Sequence, residues 1–191
     1  MTVAQRVDQR QTAGMNAAIV PDDKDWTWVL DSVCLECGFD STSFAVTEVG
    51  AMIRANAAAF AVVLAGDAAR LRSRPDPATW SPLEYGAHVR DVYRLFRVRL
   101  ALMLDEHDPL LANWDQDATA VDAKYADQDP DVVSTQLVVA AERLADAFDS
   151  VVGEQWQRPG RRSDGSVFTV DTFARYLLHD PVHHLRDVGP S

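Results

Sequence analysis

Three of the chain's five histidines fall in one C-terminal run, Tyr176-Leu-Leu-His179-Asp-Pro-Val-His183-His184-Leu-Arg-Asp187. A fourth, His88, lies in Glu84-Tyr-Gly-Ala-His88-Val-Arg-Asp91. His179 and His183 are four residues apart, so on a helix they share one face about one turn from each other. Two imidazoles at that spacing reach one metal ion, and a third from a neighbouring helix makes a three-nitrogen site with open positions. Open positions mark a catalytic site, since structural zinc sites usually have all four positions filled by protein. His184 sits five residues past His179, about 140° around a helix from it, and is set aside as a neighbour. His107, before Asp108-Pro109, reads as a cation at a helix C-terminus.

The elements that must position these residues read as helices. An apolar stretch from about Ala45 to Leu71 predicts a first helix, with Val49, Ile53, Phe60 and Leu64 as core positions. Arg74-Pro75-Asp-Pro77 breaks the chain. Ser81-Pro82-Leu83-Glu84 then offers an N-cap serine, proline at N1 and glutamate at N3, which starts a second helix running through His88 to about Leu104. The connection from Asp108 to Pro130 is long and should hold a short helix around Ala118–Tyr125. Asp129-Pro130 starts a third helix, reaching about Val152, with Leu137, Ala141, Leu144 and Phe148 as its apolar stripe. Arg158 to Thr169, with Asp164-Gly165 at its centre, reads as a small hairpin. Thr169 or Asp171 caps a fourth helix that carries the histidines. Pro181 stands between His179 and His183, where it removes a backbone donor and crowds the carbonyl of Leu177, so a kink or a fresh helix start is expected there. The expected architecture is all-α, a four-helix bundle with a long crossover connection and a small hairpin before the last helix. Residues 1–25 read as a flexible arm, and 26–191 as a single domain.

Composition narrows the partners. The chain of 191 residues carries 18 Lys and Arg against 29 Asp and Glu, a net charge of −11. It has no dense basic stripe, so neither nucleic acid nor anionic lipid is an expected partner. No apolar run is expected to reach membrane-spanning length, and Met1 to Asp25 lacks a signal peptide's apolar stretch, which predicts a cytoplasmic protein with reduced thiols. Cys34 and Cys37 form one C-x-x-C. Alone it is half a zinc site or a redox pair, and no second cysteine pair completes it, so it reads as a turn carrying two thiols. A homodimer through a bundle face is compatible with the composition, although no stripe marks one.

The block Trp80-Ser-Pro-Leu-Glu84-Tyr-Gly-Ala-His88-Val-Arg-Asp91-Val, followed downstream by Tyr176-Leu-Leu-His179-Asp-Pro-Val-His183-His184-Leu-Arg-Asp187-Val, resembles the DinB/YfiT-like superfamily. Asp25-Trp26-Thr-Trp28 and Glu36-Cys37-Gly38-Phe39-Asp40 resemble an N-terminal extension of actinobacterial members. The resemblance implies a four-helix bundle whose second and fourth helices give three histidines to a divalent metal, usually zinc or nickel. Carried onto this chain, those ligands are His88, His179 and His183. Characterised members of the superfamily include isomerases and S-transferases that use mycothiol or bacillithiol.

Together these readings predict an enzyme acting on a small molecule, in which the metal lowers the pKa of a thiol or a water. Transfer to or from a thiol cosubstrate such as mycothiol is one expectation, and metal-dependent hydrolysis is the alternative. A non-enzymatic stress-related binding module is a third reading. Glu84 and Asp115 are the carboxylates offered as catalytic candidates, Asp115 because its loop could cover the site. Asp91, Asp180 and Asp187 could orient imidazoles by accepting their second N–H.

Overall fold

The computed structural model describes residues 25–76 and 79–189, so the expected N-terminal arm, apart from Asp25, lies outside the described residues. In chain order the helices are α1 (Val49–Leu64), α2 (Ala68–Leu71), α3 (Pro82–Asp105), α4 (Gln116–Asp122), α5 (Pro130–Asp149) and α6 (Val170–Val188). α1, α3, α5 and α6 form the expected four-helix bundle. α1 and α3 each pack on α5, and α6 packs on both α1 and α3, which sets α6 across the bundle from α5. The segment joining α5 to α6 therefore crosses the bundle. It contains the expected hairpin, β2 (Pro159–Arg162) antiparallel to β3 (Val167–Thr169).

Local chemistry explains the helix ends. Ser81 and Glu84 form the reciprocal capping box that the sequence predicts, with Glu84 Oε2 accepting from the Ser81 amide at 2.9 Å. Asp129 accepts from the amides of Asp131 and Val132 ahead of Pro130. Thr169, not Asp171, caps α6. The apolar faces these starts set in register bury Ile53, Phe60, Leu83, Leu100, Leu137, Leu144, Phe173 and Leu177 in one core. Full burial of a side chain of this kind contributes about 1.5–3 kcal/mol.

Three expectations need correction. The apolar stretch 45–71 is not one helix: it begins as a 3-10 turn, Val46–Glu48, and α1 stops at Leu64. Asp67 then caps α2 by accepting from the amides of Ala69 and Arg70, a local bond that competes with helix continuation. Second, a two-residue strand β1 (Leu110–Leu111) pairs in parallel with β2, a long-range contact that no local pattern announces. Third, Val46–Leu64, with a mean hydropathy of 1.3, is long and apolar enough by composition to cross a membrane. Here it serves as a core helix: Val49, Ile53, Phe60 and Leu64 are buried in the bundle, and Arg54 bonds Glu142, Asp146 and Asp149 of α5.

Pro181 does not break α6, which runs unbroken to Val188. Its carbonyl accepts from Asn56 Nδ2 of α1 at 2.9 Å, and Asn56 Oδ1 in turn accepts from the Tyr93 hydroxyl of α3 at 2.8 Å. This buried chain ties three helices together beside the histidines.

Candidate metal centre

His88 projects from the middle of α3 and has no exposed surface. Its ring stacks on Trp114 (centroids 5.6 Å, planes 11° apart) and sits 5.1 Å from the Trp80 ring. Nε2 faces Asp180 Oδ2 at 3.3 Å, while Nδ1 is buried without a hydrogen-bond partner. On α6, His184 follows Asp180 by one turn and directs Nε2 to the same Oδ2 at 3.7 Å. His184 Nδ1 lies 3.2 Å from Asp187 Oδ2. Ligand atoms of His88, Asp180 and His184 thus all lie within 4.8 Å of one another. Burial alone would raise the Asp180 pKa, but His88 and His184 beside it bring it down to about 2, so the group is a carboxylate. Its second oxygen, Oδ1, is buried and unpartnered. Two imidazole nitrogens and a carboxylate around one point, with polar atoms left unsatisfied, suit a divalent cation.

The other two histidines of α6 take a different neighbourhood. His179 and His183 face Cys34 and Cys37, and the four ligand atoms again lie within 4.8 Å of one another. The expected trio is therefore divided between two places: His88 goes with Asp180 and His184, and His179 with His183. Both pairs on α6 satisfy the four-residue rule. They differ by one residue, a rotation of about 100°, and spacing alone cannot choose which face meets α3. His184, set aside in the sequence, takes the place beside His88. Asp180, expected only to orient an imidazole, stands between His88 and His184, and Asp187 lies beside His184 Nδ1.

The carboxylates offered as catalytic candidates fall elsewhere. Glu84 is buried and paired with Arg74 and Ser81, and among the described groups it serves the α3 cap. Burial works against its ionisation, but Arg74 and Ser81 hold its pKa below the usual range. Asp115 caps α4 by accepting from the Ala118 amide at 2.8 Å and also lines the cavity described next. Asp91 binds Arg90, Arg94 and the Tyr125 hydroxyl.

A cavity of about 960 Å³ opens beside both histidine groups. Asp180, His184, Tyr85, Trp114, Arg99 and Arg162 are among its lining residues. Burial raises the Tyr85 pKa, so its hydroxyl stays protonated. Burial and the neighbouring Arg162 lower Arg99 to about 10, still a cation at neutral pH. Sequence reasoning missed Tyr85, Arg99 and Arg162 because no local pattern brings the 85–99 stretch and the hairpin to one cavity.

Fold and side chains together define a helical bundle with two groups of metal-ligating residue types beside a cavity of about 960 Å³. The chain belongs to the DinB superfamily, whose family model matches residues 51–188. Among solved structures it is similar to YfiT from Bacillus subtilis, described as a probable metal-dependent hydrolase with an unusual four-helix bundle topology. That likeness has a TM-score of 0.68 at 15% identity and covers 77% of this chain and 89% of YfiT, which supports the fold. No curated protein matches the chain.

Proposed function

We propose that the protein is a metal-dependent enzyme for a small molecule, with His88, Asp180 and His184 holding the ion. The observation that carries this reading is the convergence of those three side chains, with Asp180 Oδ1 buried and unpartnered and with Asp180 and His184 lining the cavity. Two imidazoles and one carboxylate match the donor sets of catalytic zinc sites, and nickel is accepted by the same nitrogens. When bound, the metal supplies the Lewis acidity that polarises a carbonyl and lets a water or thiol ionise near neutral pH.

The chain's own residues do the positioning. Asp187 stands 3.2 Å from His184 Nδ1, where it would accept a hydrogen bond from Nδ1–H and so favour the tautomer that presents Nε2 to a metal. Trp80 and Trp114, which both line the cavity, pack their rings on His88 and cover it. Tyr85, its ring centroid 4.6 Å from that of His184, offers a protonated hydroxyl in the cavity wall. Arg99 and Arg162 set two guanidinium groups in the cavity wall, where Asp164, bonded to Arg162 at 2.8 Å, offsets part of their charge.

For the nucleophile, a thiol cosubstrate such as mycothiol is supported by cavity size. At about 960 Å³ it lies at the upper end of small-ligand sites and has room for a bulky thiol beside an electrophile. The reaction would then be S-transfer or thiol-assisted isomerisation. Hydrolysis is the second reading, favoured by the description of YfiT. Turnover of electrophile, ester and amide panels by zinc- or nickel-loaded protein, with and without a low-molecular-weight thiol, separates them. Thiol-dependent turnover supports transfer, and turnover of esters or amides without thiol supports hydrolysis. Protein that takes up no metal after reconstitution sinks both.

A further inference from the structure

Cys34 and Cys37 lie outside the residues matched by the family model, and nothing in the proposed reaction uses them. Cys34 is 1% exposed, deep for a thiol on a segment that precedes the bundle. The turn that carries the pair is tightly built. Gly38 N donates to Cys34 O at 2.7 Å, and Cys34 N donates to Phe39 O at 2.9 Å. Gly38 has a φ of 75°, which favours glycine, and the exposed Leu35 between the cysteines is directed to solvent. Both sulfurs thus reach the same face of α6, where His179 and His183 stand one turn apart.

We propose that Cys34, Cys37, His179 and His183 form a closed tetrahedral zinc site, separate from the centre at His88, which fastens the segment 25–44 to the last helix. The donor set is complete: two sulfurs and two imidazole nitrogens, the count of structural zinc sites. With Zn–S of about 2.3 Å and Zn–N of about 2.0–2.1 Å, a zinc tetrahedron has ligand–ligand edges of roughly 3.3–3.8 Å. Cys34 Sγ already stands 3.8 Å from His183 Nδ1, and all four ligand atoms lie within 4.8 Å, so small side-chain rotations close the set.

The surroundings agree with ligation. His179 Nε2 is buried with no hydrogen-bond partner. His183 turns Nδ1 to Cys34 and Nε2 to Glu36 Oε2 at 3.4 Å, so a carboxylate receives the second N–H of a ligating imidazole. Trp26 and Phe39 pack their rings 5.2 and 5.6 Å from the His179 ring and shield the site. On binding zinc the two thiols release their protons and become thiolates. Trp26 and Glu36 both line the cavity, so this zinc fixes one wall of the pocket without taking part in its chemistry.

The test uses tag-free full-length protein loaded with Co(II), then with Zn(II). Wild type should show an intense near-ultraviolet thiolate-to-cobalt band, and zinc should protect both thiols from a disulfide reagent by at least tenfold in rate. Cys37→Ser, at the less buried cysteine, should lose the band and one bound metal equivalent. His88→Ala should keep the band, which separates this site from the proposed catalytic one. Cobalt uptake by wild type without the band, or equal thiol reactivity with and without zinc, would overturn the proposal even if the variants failed to fold.

Discussion

Replacing Asn56 by alanine removes the bridge between the Tyr93 hydroxyl and the Pro181 carbonyl. Asn56 is 5% exposed and Tyr93 fully buried, so water cannot replace the lost amide. The Tyr93 hydroxyl is left without its acceptor, and a buried unsatisfied polar group costs about 1–3 kcal/mol. Pro181 loses its second donor, and the truncation leaves a small cavity. A total of about 2–4 kcal/mol follows, which lowers Tm by roughly 5–12 °C for a protein of this size. Tyr93→Phe alone strands Asn56 Oδ1 and should cost about 1–2 kcal/mol. The double variant has no stranded hydroxyl, so its cost should fall short of the sum by about 1 kcal/mol or more. Urea denaturation of the chelated protein for all four members of the cycle reads these values. Additivity within about 0.5 kcal/mol, or a negligible cost for Asn56→Ala, would refute the idea that this bridge holds α6 in place.

Further outcomes follow from the site. Asp187→Asn should weaken metal binding at the His88 centre by about 10–100-fold, read by competition with a coloured chelator, because His184 loses the acceptor that orients it. Burial, then the neighbouring His183, depresses the His179 pKa from 6.5 to about 4 in the metal-free fold. The unfolded chain therefore binds this proton first, and its contribution is fully present above pH 6.5 and lost as pH falls toward 4. Stability of the chelated protein should drop across that window by at most about 3 kcal/mol, and His179→Gln should flatten the slope in urea titrations. Gly38→Ala should destabilise the cysteine turn by about 1–2 kcal/mol, since its φ of 75° lies in the left-handed region. Hydrogen exchange in residues 26–44 should rise accordingly.

Helix starts were legible because their signals are local. Ser81-Pro82-Glu84 and Asp129-Pro130 each place a cap, a proline and an acidic side chain within four positions, and the apolar stripe behind each sets the buried face. The end of α1 was less legible because Ala and Val continue up to Gly66, and only the Asp67 side chain marks the restart of the helix. Pro181 argued for a kink from backbone chemistry alone. The helix continues through Pro181, whose carbonyl accepts from Asn56 on α1, a partner far away in sequence. The metal-ligating residue types were all visible, and their grouping was not. A one-residue offset between 179/183 and 180/184 decides which pair meets α3 and which meets the N-terminal segment. The C-x-x-C was half a site in sequence because its other half lies on the opposite end of the chain.

Anomalous diffraction at the zinc edge, from crystals of tag-free protein grown with zinc, tests the assignment most directly. The account predicts a peak about 2.0–2.2 Å from nitrogens of His88 and His184 and an oxygen of Asp180, with a separate peak among Cys34, Cys37, His179 and His183. A single ion held by His88, His179 and His183, or no anomalous density beside His88, would contradict it.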